Sequence, residues 1–303
     1  MTGPLALRVA QALQRDVRSE AADFAEALAQ DAGAMAALFY GSNLRTGSLD
    51  GVLDFYLLLP GKQQERIWPR VSYHEREIAG RTLRAKAATM SLEQFAQACR
   101  GDSRDTTIWA RFVQPSALVW LAGEPLVDAV VEAIAQAART AARLAVALGP
   151  PSGTEADYWR ALFRATYQAE FRVEKAGRED SILDANAAHF DGLLPLALAA
   201  EGVAFEAQGE VLFPVMEKAE RKRILRWWTA RRRLGKPLNL LRLAKAATTF
   251  EGAAAYAAWK VERHTGVPIE VTPFRERHPL LAAPGALFEV LRARRSGARA
   301  DQK

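Results

Sequence analysis

The residues with the most chemical content lie between positions 37 and 59. An apolar run, Ala37-Leu38-Phe39-Tyr40, stops at Gly41-Ser42, and after a short polar loop a second apolar run, Val52 to Leu59, carries a single acid, Asp54. Apolar runs of this length read as buried strands. Gly41 has no Cβ, so the backbone N–H groups of Gly41-Ser42 can approach a phosphate closely. An acid inside a buried strand is costly unless something pairs with it, and Mg²⁺ carried by a nucleoside triphosphate is such a partner. The pattern points to nucleotidyl transfer. The plainer alternative is a Gly-Ser turn with Asp54 bonded to nearby backbone. Asp50, in an Asp-Gly turn, is the fallback acid.

These residues need a scaffold. Residues 5–31 are Ala-rich with Arg and Glu at helical spacing and predict a helix leading into the first strand. Pro60-Gly61 ends the second strand. Arg81 to Met90 alternates charged and smaller residues, predicting a strand with one basic and one apolar face. Ser91-Leu92-Glu93-Gln94 reads as a capping box, and Ala117 to Leu121 as another buried strand. Residues 126–148 form a long helical pattern ended by Gly149-Pro150-Pro151. Helical patterns follow near 155–174, 184–201, 216–234, 238–262 and 284–295, with small strands near 203–205 and 209–213. The predicted class is α+β: a nucleotidyltransferase-like mixed sheet with helices, then a mostly helical C-terminal region. The predicted units are a catalytic domain over 1–125, a helical domain over 126–215 that contributes site residues, and a basic amphipathic region over 216–303.

Composition narrows the class. Half of the 303 residues are hydrophobic and a quarter are charged, which excludes a disordered chain. One cysteine, Cys99, excludes an internal disulfide framework and a cysteine-built metal cluster, and reads as a packed thiol in a reducing compartment. No signal peptide or bilayer-spanning run is visible, so the expected location is cytoplasmic, peripheral on the inner face of the cell membrane. The net charge of +6 is unevenly spread: basic residues crowd between Lys218 and Lys245, which implies an anionic surface as partner. Nucleic acid is the less favoured choice, because no stacking aromatics are regularly spaced among these basic residues.

Taken in order, the motifs resemble those of the mitochondrial translocator-maintenance family of phosphatidate cytidylyltransferases, in a bacterial-type form. Tyr40-Gly41-Ser42 with Leu53-Asp54-Phe55 is similar to that family's Tyr-Gly-Ser and Leu-Asp-Phe pair. Gly80-Arg81-Thr82-Leu83-Arg84 resembles its Gly-Arg-Leu-Ile-Lys strand, and Arg111-Phe112-Val113-Gln114-Pro115 its Gly-Arg-Leu-Gln-Lys-Pro segment. Tyr167 to Arg172 resembles its Tyr-Ser-Gly-Asp-Phe-Arg motif, and Asn186-Ala187-Ala188-His189-Phe190 its Asn-Ile-Ala-His-Phe. The resemblance spans about residues 35 to 260. It implies that phosphatidic acid attacks the α-phosphorus of CTP, with Mg²⁺, to give CDP-diacylglycerol and pyrophosphate at a membrane surface. Glu170 stands where the family has Asp, Arg84 stands where it has Lys, and the insert between the first two motifs is short.

The expected roles follow. Asp54 and Glu170 are the catalytic, metal-holding acids, since position 52 is Val52 and supplies none. Gly41, Ser42, Arg84, Lys86, Arg111, Asn186 and His189 are the nucleotide-binding set. For the three cations the alternative is a solvated basic face, and for His189 a structural role. Trp227, Trp228, Arg231, Arg232 and Arg233 are the expected membrane contacts, the alternative being a Trp pair that closes the core. Two other functions remain open: a nucleotidyltransferase with another acceptor (a different lipid phosphate or an RNA end), and a catalytically silent lipid-binding scaffold. The oligomeric state is not legible.

Overall fold

Alternating side chains give the central strands two apolar faces, and the chain covers both. The computed structural model describes residues 3–64, 69–103, 107–169, 178–249 and 252–277, with four isolated positions beyond. The sheet consists of β1 (Ala36–Tyr40), β2 (Leu53–Leu59), β3 (Arg70–Ile78), β4 (Arg81–Ser91) and β5 (Ser116–Leu121), in the order β3-β4-β2-β1-β5. The β2–β4 pair is parallel and the other pairs are antiparallel. The fold is therefore a mixed sheet with helices, followed by C-terminal helices, as the sequence predicts.

Helices α1 (Pro4–Leu13) and α2 (Ser19–Ala32) precede β1. The single helix expected over 5–31 is thus two, parted at residues 14–18, and Gly33 closes α2 in a left-handed cap. One sheet face, including Phe39, Leu53, Phe55 and Leu57, packs on Phe24, Ala25 and Leu28 of α2. The short α3 (Ser42–Thr46) lies between β1 and β2. After β4 come α4 (Leu92–Cys99) and α5 (Thr107–Phe112). Ser91 caps α4, its hydroxyl accepting from the Gln94 N–H at 3.2 Å.

A 3-10 turn at Glu124–Leu126 leads into α6 (Val127–Leu148) and then α7 (Glu155–Ala169), α8 (Arg178–Ala185), α9 (Ala187–Phe190) and α10 (Leu193–Glu201). The hairpin β6 (Phe205–Gln208) and β7 (Val211–Pro214) precedes α11 (Lys218–Thr249), α12 (Ala253–Thr265) and α13 (Pro273–Arg277). The second sheet face, with Leu38, Tyr56, Leu58 and Met90, joins α4, α5, α6 and α7 in one buried cluster that runs from Leu5 to Trp228. That core is continuous across positions 125/126 and 215/216. Cys99 is fully buried in it, and burial pushes its thiol pKa up, as a packed cysteine requires.

Two further boundaries differ from the sequence reading. The helix expected over 184–201 is three short pieces. Conversely, α11 runs unbroken through Pro237, and the break comes instead at Gly252, whose φ of 74° no β-branched or bulky residue would adopt cheaply. The 284–295 helix lies almost wholly outside the described residues.

Candidate active site

The β1–β2 pairing sets Tyr40 opposite Asp54, and the parallel β2–β4 pairing sets Asp54 beside Lys86. The three side chains therefore share one face of the sheet, at the end where the apolar packing of that face gives out. Gly41 follows directly, with φ +89°; a Cβ built there would lie 3.1 Å from Asp54 Oδ2. The glycine is thus required twice, by its backbone angle and by the carboxylate it faces. Asn43, only 8% exposed, donates to Ser48 O at 2.9 Å and Asp50 O at 2.8 Å and so pins the connecting loop.

Above this corner is a cavity of about 430 Å³. Gly41, Ser42, Arg45, Asp54, Arg111, Gln114, Tyr167 and Asn186 all line it. It draws side chains from the sheet, α3, α5, α7 and the start of α9, so five separated stretches of chain meet around one carboxylate. The Arg111 guanidinium lies 5.1 Å from the centre of the Tyr40 ring. Burial raises the Asp54 pKa, and the positive charges of Lys86 and Arg111 oppose that rise. Tyr40 is pushed up to about 12, first by burial, with the Asp54 charge adding to the rise and Arg111 opposing it.

A carboxyl raised by burial is one that gains from a cation. The gap left by the missing Gly41 Cβ keeps Asp54 Oδ2 approachable from the cavity, which fits a hard ion such as Mg²⁺ shared with phosphate oxygens. Asp50 does not share this corner: its carboxylate is largely exposed and pairs with Arg81 at 3.3 Å. Glu170 and Arg172 lie outside the described residues, next to Ala169 at the end of α7. Among the described residues no group of three or more acid, His or Cys side chains could hold a metal, and of the described residues lining the cavity Asp54 is the acid.

The expected nucleotide-binding set divides. Gly41, Ser42, Arg111 and Asn186 line the cavity with Asp54. Lys86 acts on Asp54 electrostatically from the other side and lies over the Tyr256 ring at 4.2 Å. Arg84 is two residues further from Asp54; it pairs with Glu75 at 3.2 Å and lies over Trp259 at 5.5 Å. His189 does not line the cavity. Its Nε2 bonds Val113 O at 2.9 Å, and burial, aided by the charges of Arg15 and Arg8, lowers its pKa to about 4 despite that bond. His189 thus braces Val113, just past the end of α5, and stands outside the lining of this cavity. Arg45, Gln114, Thr166, Tyr167 and Ser181 are polar lining residues that the sequence reading did not assign to the site. Arg45 was legible: three positions after Ser42 on a helix, it shares that residue's face.

The Trp pair also resolves toward structure. Trp228 is 3% exposed, and both indoles pack on the buried Trp109, with ring centres 6.4 and 6.5 Å from it. Arg231 turns inward as well, donating to Gly101 O at 2.5 Å and Ser103 O at 3.0 Å across the Trp227 ring. Helical periodicity carries these three to the packed side of α11, where Trp228 is buried and Trp227 and Arg231 stay partly exposed. Arg232 and Arg233 stay on its exposed side with Lys222 and Arg226, followed by exposed Leu234, Leu240 and Leu241. Among the described residues no helix is long and apolar enough to cross a membrane.

Neither the scan against protein-family models nor the search of curated proteins returns a match for this chain. A second cavity, of about 400 Å³, opens on the α2 face of the sheet and contains Ser72 and His74, 2.7 Å apart. The nearby Asp31 is paired with Arg76 instead of orienting the imidazole, so the serine lacks a hydrolase-like relay.

Proposed function

We propose that this protein is a Mg²⁺-dependent nucleotidyltransferase that transfers CMP from CTP to phosphatidic acid, releasing pyrophosphate. The observation that carries nucleotidyl transfer is the contact between Gly41 and Asp54 at the floor of a cavity that also collects Arg45, Arg111 and Asn186. The choice of CTP and phosphatidate comes from the motif resemblance. In the reaction a phosphate oxygen of the acceptor forms a bond to the α-phosphorus. The bond from that phosphorus to the bridging oxygen breaks, and pyrophosphate leaves with the electron pair. The acceptor oxygen is already ionised at neutral pH, so no side chain need remove a proton, in keeping with the structural position of His189.

Positioning and charge are what such a transfer asks of the chain. Ser42 and the Gly41 backbone bind triphosphate oxygens, Arg45 and Arg111 offset their charge, and Asn186 orients the base or ribose. Asp54 would hold the metal, which would supply positive charge to offset that of the phosphate oxygens. The exposed cations Lys222, Arg226, Arg232 and Arg233, with Leu234, Leu240 and Leu241, support a location on an anionic membrane surface. A second reading, a nucleotide-binding protein that does not turn over, draws on Val52, which supplies no second acid before Asp54. The deciding experiment incubates purified protein with CTP, Mg²⁺ and vesicles containing phosphatidic acid. CDP-diacylglycerol and pyrophosphate in equal amounts are expected; CTP binding without either product favours the silent reading.

A further inference from the structure

Asp54 has a second flank. Across the sheet at its register lie Tyr40 on one side and Lys86, then Tyr73, on the other. The cavity takes the Tyr40 side. Over Lys86 and Tyr73 lies α12, the element after the long basic helix. It is seated closely at both ends: a Cβ on Gly252 would come within 2.7 Å of Tyr73 O, and one on Gly51, three residues before Asp54, within 3.1 Å of an Arg263 guanidinium nitrogen. The Tyr256 ring packs against Tyr73 at 5.4 Å and stacks beside Trp259 at 6.3 Å.

Each of these two rings is shared by two cations. Lys86 and Lys260 lie 4.2 and 5.8 Å from the Tyr256 centre, and Arg84 and Arg263 lie 5.5 and 5.2 Å from the Trp259 centre. Cation–π contact draws the four charges together without neutralising them. Among the described residues, Glu75 Oε1 accepts from Tyr73 at 2.6 Å and from Arg84 at 3.2 Å, and Asp54 lies beside Lys86. Converging like charges favour a bound dianion, and charge-assisted bonds to arginine and lysine are the strong ones.

We infer that the face shared by α12 and β4 is the acceptor subsite, taking a phosphomonoester on an apolar tail. The inference rests on the transfer reading above. In-line displacement needs attacking and leaving oxygens on opposite sides of the phosphorus. With the triphosphate in the cavity, the flank of Asp54 left for the acceptor is the one that Lys86 and α12 occupy. Lys260 and Arg263 hold the acceptor phosphate, the Tyr256 and Trp259 rings receive the start of its tail, and Lys86 stands between the two substrates.

Calorimetric titration of the full chain tests this with dioctanoyl phosphatidate, dioctanoyl phosphatidylcholine and glycerol 3-phosphate, for wild type and the exposed double variant Lys260→Gln/Arg263→Gln. Wild type is expected to bind the phosphatidate and neither of the other two. The double variant should bind it about tenfold or more weakly, the effect of losing charge-assisted bonds. In the transfer assay the same variant should raise the acceptor KM and leave the CTP KM unchanged. Equal affinity of wild type and variant for phosphatidate overturns the subsite, as does an unchanged acceptor KM in an active enzyme. Equal binding of glycerol 3-phosphate overturns the apolar-tail assignment. Phosphatidate binding that depends on Lys260 and Arg263, in a protein that transfers no CMP, upholds the subsite and refutes the transfer reading instead.

Discussion

Replacing Asp54 with Asn separates a site carboxylate from a structural one, because the two roles predict opposite changes in stability. The side chain is half-buried, and burial raises its pKa above the ordinary carboxylate value even with Lys86 and Arg111 nearby. Between the unfolded and the raised folded pKa the native state binds more protons than the unfolded one. Stability therefore falls as pH rises through that window, and at neutral pH the ionised Asp54 burdens the metal-free fold. Asn keeps the shape and removes the charge. The metal-free Asp54→Asn protein should have a Tm at pH 7 equal to or above that of wild type, and this advantage should vanish once the pH drops below both pKa values. Activity should move the other way. Losing the metal anchor costs about 4 kcal/mol of transition-state stabilisation, roughly a thousandfold in rate. Scanning calorimetry from about pH 3 to 8, beside CDP-diacylglycerol formation across a Mg²⁺ titration, reads both. A variant that turns over within about tenfold of wild type refutes the metal assignment. A variant that melts well below wild type at pH 7 makes Asp54 a structural partner of Lys86 or Arg111.

Three further outcomes are expected. Gly41→Ala must hold a side chain at φ +89° with its Cβ 3.1 Å from Asp54 Oδ2, so it should cut transfer at least about tenfold while far-ultraviolet circular dichroism stays unchanged. His189, lowered to about 4 from its ordinary value near 6.5, binds fewer protons folded than unfolded, so its contribution is full above pH 6.5 and is lost as pH falls toward 4; by about 1.4 kcal/mol per pKa unit this is about 3 kcal/mol, and urea titrations should show a flatter acid limb in His189→Gln. Ala79 occupies a left-handed position, φ 49°, in the two-residue turn between β3 and β4, so Ala79→Gly should raise stability by about 1 kcal/mol in the same titrations, and a loss would refute the turn geometry.

What was legible in the sequence follows physical lines. The strands holding the site could be read because both their faces are buried: Leu38, Phe39, Phe55, Tyr56, Leu57 and Leu58 are all nearly inaccessible, so the whole run is apolar. Strand β3, Arg70-Val-Ser-Tyr-His-Glu-Arg-Glu-Ile, escaped notice because it is an edge strand, half-exposed along most of its length, and charged side chains dilute its alternation. The cavity's floor was read from Gly41-Ser42 and Asp54, since a glycine and a lone acid carry meaning at short range. Its walls were harder. Arg45 looks like any surface arginine until α3 turns it toward Ser42. His189 looks like a ligand until Val113, seventy-six positions away, takes its Nε2. The basic stretch of α11 shows the same limit most clearly. Trp227-Trp228 followed by Arg231-Arg232-Arg233 has the composition of an interfacial helix, yet composition does not say which side of a helix is packed. The register that Trp109 imposes buries Trp228 and turns Arg231 inward, leaving Arg232, Arg233 and the later leucines outside. A surface role for α11, if tested, therefore belongs to those outward residues, while the aromatics that first suggested it hold the helix to the core.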